Sequence, residues 1–209
     1  MELEKELKKA LEELRQSKER KFDQTVDLIL NLKKFDVKKS NVNLLIEIPH
    51  KIKDKKIAAF FETKNNNVDT ITFAEFKKYK DKHLVKKLVD KYDFFIAQAS
   101  LMPKVATFFG RVLGPTGKMP SPQLGILATV DDESIATLKN KINNTVKFKV
   151  KEASIKLPVG KQSMKDSEII ENIIAIYDYV VPTLPRNIEN IKNVELKFTM
   201  TKPVKISIK

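Results

Sequence analysis

Leucine recurs at Leu3, Leu7, Leu11 and Leu14, a single stripe at helical spacing with Glu and Lys on the other faces. It predicts an amphipathic helix whose apolar side packs on a sheet. From Lys21 to Leu32 the period changes: Val26, Leu28, Leu30 and Leu32 alternate like one face of a half-buried strand, blurred only by Ile29. The polar stretch from Lys38 to Asn41 reads as a turn. Val42, Leu44, Ile46 and Ile48 then alternate up to Pro49, which predicts an antiparallel partner for the first strand.

From Lys51 the pattern is different. Ile57 to Phe61 is a short continuous apolar run, Asp69 to Thr72 a second candidate strand and Asp93 to Ala97 a third, with a Lys-rich helical segment from Phe73 to Asp90 between the last two. Strands alternating with helices predict a small α/β unit with a parallel sheet. Helices over Met102 to Phe109 and after Asp131-Asp132-Glu133-Ser134 are expected to cover it. Beyond Asn144 alternation returns, with Val146, Phe148 and Val150, then Ile155, Leu157 and Val159. A helix is predicted from Lys165 to Val181, carrying Ile169, Ile170, Ile173, Ile174 and Tyr177 on one side, capped by Ser163 and ended by Pro182 and Pro185. Val194, Leu196, Phe198 and Met200 alternate once more, followed by Val204, Ile206 and Ile208 after Pro203. Two alternating segments thus flank one α/β segment, the pattern of a domain built from both chain ends with a second domain inserted into it.

The chain has 209 residues, 42% of them hydrophobic, enough to bury a core in one large domain or two small ones. Its 40 Lys and Arg against 27 Asp and Glu give a formal net charge of +13, which favours a polyanionic partner without saying which. The absence of cysteine excludes disulfides and thiolate-bound metals. The charged start, Met-Glu-Leu-Glu-Lys-Glu-Leu, lacks the apolar core of a signal peptide, and no apolar run reaches membrane-span length, so a soluble cytoplasmic protein without a membrane partner is expected.

Four of the five glycines fall between Gly110 and Gly125. Glycines can let backbone N–H groups approach a phosphate, with Lys118 adding charge, but the spacing fails both nucleotide motifs. A Walker loop needs glycine where Val112 stands and Ser or Thr where Met119 stands. The dinucleotide fingerprint needs tighter spacing than Gly110, Gly114 and Gly117 provide, and no strand runs directly into them. A stiff surface loop built with Pro115, Pro120 and Pro122 is the better reading.

Imidazole chemistry has only His50 and His83 to draw on, which leaves little room for a His-dependent triad or metal site. Asp131, Asp132 and Glu133 stand where acidic residues satisfy a helix N-terminus. Lysine runs such as Lys77-Lys78-Tyr79-Lys80 and Lys86-Lys87 read as wet helix faces. One cluster is more specific. Lys18, Arg20, Lys21 and Phe22, with Gln24, Thr25 and Asp27 close behind, combine cations, an aromatic ring and short hydrogen-bonding groups, a mix suited to RNA phosphates, 2′-OH groups and bases. The competing reading has Phe22 merely beginning the core-facing row of its strand, and the pattern does not separate the two.

Three stretches resemble the large-subunit ribosomal protein L-one family, in its archaeal form. They are Lys21-Phe22-Asp23-Gln24-Thr25-Val26-Asp27; Asp93-Phe94-Phe95-Ile96-Ala97-Gln98-Ala99 with Leu101-Met102-Pro103, Gly110-Arg111-Val112-Leu113-Gly114-Pro115 and Gly117-Lys118-Met119-Pro120; and Pro158-Val159-Gly160-Lys161 with Thr199-Met200. The resemblance spans essentially the whole chain. It implies an α/β protein in which an α+β terminal domain with a split β-α-β sheet, residues 1–50 plus 145–209, carries an inserted Rossmann-like three-layer α/β domain, residues 51–144, joined by hinges near His50 and Asn144. It implies a structural role in the ribosomal stalk, with no catalysis and no cofactor. The expected partners are the ribosome, a stem-loop of large-subunit RNA, exit-site tRNA, whose release the protein would assist, and its own mRNA, whose translation it would repress; the free protein is expected to be a monomer whose two domains open and close around RNA.

Carried over by position, the RNA-facing residues are Lys21, Phe22, Thr25, Asp27, Lys151, Lys161, Thr199 and Met200. Asp27 stands where the family commonly has Glu, Thr116 where it usually has Arg, and Thr201 where it usually has Gly. A β-branched residue at that last position would be strained if the backbone were left-handed. Two other classes compete: a small α/β nucleotide-binding enzyme, resting on the inserted unit and the glycine loop, and a basic protein that coats nucleic acid by charge alone.

Overall fold

The computed structural model describes residues 2–18, 20–36, 43–150 and 152–207. Its elements run α1 (Glu2–Arg15), β1 (Thr25–Leu32), β2 (Asn43–Glu47), β3 (Ile57–Phe61), β4 (Asp69–Thr72), a 3-10 segment (Phe73–Lys80), α2 (Lys82–Lys91), β5 (Phe94–Gln98), α3 (Met102–Thr116), β6 (Ile126–Leu127), α4 (Asp132–Asn143), β7 (Thr145–Lys149), β8 (Ser154–Lys161), α5 (Asp166–Thr183), β9 (Ile191–Phe198) and β10 (Val204–Ile206). They form two compact units, Met1–Ile52 with Asn144–Lys209, and Lys53–Asn143.

In the first unit the sheet order is β10-β9-β1-β8, every pair antiparallel. Because β8 and β9 both run against β1, they are parallel to each other, and α5 joins them across it: a split β-α-β. Alternation in β1 buries Val26, Leu28 and Leu30 completely, under the leucine stripe of α1 and the isoleucines of α5. Each of these aliphatic side chains contributes about 1.5–3 kcal/mol on burial. The same alternation turns Thr25, Asp27, Ile29 and Asn31 to the opposite, partly exposed face.

The expected hairpin between the first two strands does not form. Both edges of β1 are already taken by β8 and β9, and β2 pairs instead with β7 in a separate two-stranded sheet. The proposed turn at Lys38 to Asn41, with Val42, lies outside the described residues, as does Ile208. Ser163 does not cap α5. The cap position is Lys165, while the Ser163 amide and hydroxyl both donate to Asp23 (3.1 and 3.0 Å). The helix also runs on through Pro182, which sits in its last turn.

The second unit holds a parallel sheet, order β4-β3-β5-β6. All five residues of β3 are buried, as expected of a strand covered on both faces. Phe60 is the hub of this core, its ring centroid 5.0 Å from Phe109, 5.6 Å from Phe95 and 5.7 Å from Phe76. The single helix predicted over Phe73 to Asp90 is two segments, broken at Asp81, whose carboxylate accepts from the His83 amide at 2.9 Å to start α2.

The glycine loop also begins later than expected. Helix α3 continues through Gly110, Gly114 and Pro115 and ends at Gly117. There the left-handed backbone (φ 71°), the Lys118 amide bonded to Leu113 O (3.1 Å) and the Gly117 amide bonded to Gly114 O (3.0 Å) form a Schellman closure. No helix among the described residues is long and apolar enough to cross a membrane.

Candidate nucleic-acid interface

The site assembles where the ends of three antiparallel strands meet. Thr25 opens β1; its Cα partner on β8 is Lys161. On the other side, the turn after β9 is tied to it twice: the Thr25 amide donates to Thr199 Oγ1 (3.1 Å), and the Thr199 amide donates to Thr25 O (3.1 Å). Gln24, 1% exposed, lies on the buried row of β1. Its carbonyl Oε1 accepts from the Met200 amide (3.1 Å), and its Nε2 donates to Gln162 Oε1 (3.2 Å). One buried amide therefore fixes the turn carrying Met200 against the end of β8. A neutral amide can accept and donate at once, as this position requires.

Phe22 does not belong to the core. It precedes β1 and is 51% exposed; Met200 is 57% exposed. Two large apolar side chains thus stand in water around a rigid polar centre. Lys21 and Thr199 are exposed, and Thr25, Asp27 and Lys161 half-buried. Asp27 is the odd member. Its Cα partner on β9 is Lys197, and among the described residues no hydrogen bond satisfies its carboxylate. Burial pushes that carboxyl above its usual range, with the Lys197 ammonium acting in the opposite direction. A carboxylate held in this way costs stability and retains unused acceptor capacity. Lys151 lies outside the described residues.

The support beneath the site is specific. The β1–β8 register shifts between Val26 and Asp27, since Val26 faces Gly160 and Asp27 faces Pro158, so Val159 is a bulge residue. Its carbonyl is satisfied by Asn172 Nδ2 (2.9 Å) from α5. A Cβ on Gly160 would come within 2.9 Å of Ile169 Cγ1, so the Pro-Val-Gly-Lys stretch owes its glycine to the close approach of α5. The loop after β8 is held by Arg15, which donates to Asp166 Oδ1 (2.6 and 2.9 Å) and to the carbonyls of Gln162 (3.1 Å) and Met164 (3.0 Å). Lys161 Nζ reaches Asp23 O at 3.4 Å.

Thr201 fits without strain. Among the described non-glycine residues only Lys34 and Asn187 have positive φ, and the Thr201 hydroxyl turns inward to accept from the Phe198 amide at 2.9 Å. Sequence reasoning missed Lys197, although strand alternation with buried Leu196 and Phe198 places it on the face of Asp27. It also missed the Asn31, Ser154 and Asn193 group further along the same face, where Ser154 and Asn193 both pair with Asn31 and Ser154 Oγ and Asn193 Oδ1 are buried without a partner.

The alternative chemistry is not assembled. Lys118 does not face a phosphate cradle; its ammonium donates to Val89 O (2.7 Å) and Tyr92 O (2.8 Å) and caps α2. The Thr116 hydroxyl folds back onto Val112 O and Leu113 O (both 3.0 Å). His50 lies 2.6 Å from Glu171, with its backbone held by Asn172. Asp132 accepts from the side-chain amides of Asn65 and Asn67. Among the described residues no three His, Cys, Asp or Glu side chains come together as metal ligands.

The ribosomal protein L1p/L10e family model matches residues 14–202. The chain belongs to that family. Curated relatives of the family named large ribosomal subunit protein uL1 are similar along most of their length: that of Nanoarchaeum equitans is 34% identical over 92% of this chain and 95% of its own, that of Pyrobaculum calidifontis 37% over 96% and 92%, and that of Thermoplasma volcanium 35% over 96% and 95%. The archaeal resemblance of the three motifs and the α/β class hold, and membership places the chain among ribosomal proteins and not among enzymes.

Proposed function

We propose that the protein is a structural component of the large ribosomal subunit, located on the ribosome in the cytoplasm, and that its discontinuous terminal domain grips a stem-loop of large-subunit RNA through the strand-end cluster. The observation that carries this reading is the rigid Thr25–Thr199–Met200 centre, fixed by Gln24 and flanked by the exposed Phe22 ring and the unsatisfied Asp27 carboxylate. Phe22 and Met200 pack on ribose or base, Thr25 and Thr199 present short polar edges, and Lys21 and Lys161, joined by Lys151, meet phosphates. Asp27 accepts from a ribose 2′-OH or a base amino group, which accounts for a negative residue in a basic site.

The same surface serves two further roles in this reading: repression of the protein's own mRNA, which would present a mimic of the stem-loop, and assistance to exit-site tRNA release from the ribosome-bound protein. Opening and closing of the two domains around RNA belongs to the same proposal, as does a monomeric free state.

The test is a titration of the protein with the stem-loop against duplex DNA and scrambled RNA at matched salt. Nanomolar-range, stem-loop-selective binding is expected, and Phe22→Ala is expected to weaken it by about 1–3 kcal/mol with an unchanged melting temperature. Equal affinity for all three nucleic acids would replace the proposal with binding by charge alone.

A further inference from the structure

The second unit contains a cavity of about 440 Å³ that the cluster above does not use. It opens at the amino-terminal edge of the parallel sheet, where Ile57 begins β3, Asp69 begins β4 and Tyr92 precedes β5. Nucleotide sites in open parallel sheets sit at the carboxyl ends of the strands, so neither fold type nor glycine loop points here; the side chains do. Four lysines, Lys55, Lys56, Lys91 and Lys139, line the cavity against a single carboxylate, Asp69.

Two helices, α2 and α4, end at this edge, and their C-terminal carbonyls would attract those lysines on their own account. Other contacts already answer them. Lys118 takes Val89 O and Tyr92 O, and Lys55 donates to Ile142 O at 2.6 Å. Burial, with the nearby Lys53 cation, pulls Lys55 down to about 8 against the opposing attraction of Asp93. Among the described residues Lys56, Lys91 and Lys139 have no carboxylate within ion-pair distance; the Lys91 ammonium stands over the Tyr92 ring, 4.9 Å from its centroid, and is attracted by Asp69 beyond it. Asp69 Oδ2 accepts from the Tyr92 hydroxyl at 2.7 Å, which fixes its orientation and leaves its second oxygen available, while Ile57 and Val68 supply an apolar wall.

We infer that this cavity binds a ribonucleoside phosphate, with the phosphoryl group on Lys56, Lys91 and Lys139 and a ribose hydroxyl donating to Asp69. A cavity of this volume suits one nucleotide. The nucleotide is either free or one residue of an RNA chain, and the chemistry of recognition is the same.

Binding of ATP without metal, and separately of an eight-nucleotide single-stranded RNA, by calorimetry at fixed salt distinguishes the sources. Lys139→Glu, an exposed position on α4, is compared with Lys77→Glu, the same charge change outside the cavity. Saturable ATP binding that Lys139→Glu weakens about tenfold and Lys77→Glu less than twofold supports the free nucleotide. The same contrast for the oligonucleotide alone supports the RNA source. Binding of neither probe, or equal loss in both variants, overturns the inference. Stem-loop binding by Phe22→Ala reports on the other unit, so failure of one reading is distinguishable from failure of the other.

Discussion

The two units solve the same problem, covering a four-stranded sheet, in opposite ways. In the first unit β1 alternates strictly, so its sheet buries one face under α1 and α5 and keeps a second face of Thr25, Asp27, Asn31, Lys156 and Lys197 partly in water. In the second, β3 is buried at every position and β5 at four of its five. Helices cover both faces of a parallel sheet, and no face is left for chemistry. A one-sided antiparallel sheet can therefore carry a broad, rigid binding surface on its strands, whereas a two-sided parallel sheet must put recognition at its strand ends and loops. The lysine-lined cavity at the base of β3 lies at strand ends, whereas the cluster around Thr25 extends from the turn of Thr199 and Met200 onto the open face at Asp27 and Lys197.

The comparison is tested most severely by Phe60→Ala. Removing the hub of four packed rings should cost about 3–5 kcal/mol, read as an earlier urea transition of the second unit, while the folded protein keeps its stem-loop affinity. A parallel fall in affinity would mean that the first unit's surface does not act by itself. Next comes Lys118→Met, which leaves two carbonyls at the end of α2 without their charged donor and should destabilise by about 1.5–3 kcal/mol. If Lys118 instead served a ligand, stability would stay put. Thr199→Val is expected to cost about 1 kcal/mol of stability, because the hydroxyl accepts from the Thr25 amide, and to weaken RNA binding as well. That double effect makes Phe22→Ala, whose ring is free of the core, the cleaner probe of the interface.

Periodicity made the first unit's strands legible, since one face of each is apolar and the other is not. It could not choose their neighbours. Val42 to Ile48 has the right alternation to pair with β1, but strand order is decided by which strands reach its two edges, and β8 and β9 arrive with a connecting helix that packs over the core. In the second unit three of the four strands were located and the two-residue β6, too short to show a pattern, was missed; the other errors fell on helix ends. Asp81 interrupts a Lys-rich run by capping a new helix, and Gly110 and Gly114 sit inside α3 because a helix tolerates isolated glycines at about 1 kcal/mol each. At the site, the motif residues could be named from the chain. Gln24 was among them as a hydrogen-bonding group, but its role as a buried amide holding two segments far apart in sequence was not legible, because nothing local distinguishes it from an exposed glutamine.

The smallest expected effect is the most discriminating. Asp27 has its carboxyl raised by burial, so the folded protein binds this proton more tightly than the unfolded chain does. The ionised group therefore lowers stability above its folded pKa, and that penalty fades as pH falls through the folded value toward the unfolded one. Asp27→Asn removes the penalty; at neutral pH the variant should be more stable by about 0.5 kcal/mol, with the difference vanishing in acid, as followed by denaturant midpoints across pH. Stem-loop affinity should move the other way, because an amide replaces a charged acceptor. A variant that gains stability while losing binding would show that the chain keeps a costly carboxylate for its partner. A variant neutral in both would make Asp27 an ordinary strand residue and shift the weight of the interface onto Phe22, Thr199 and Met200.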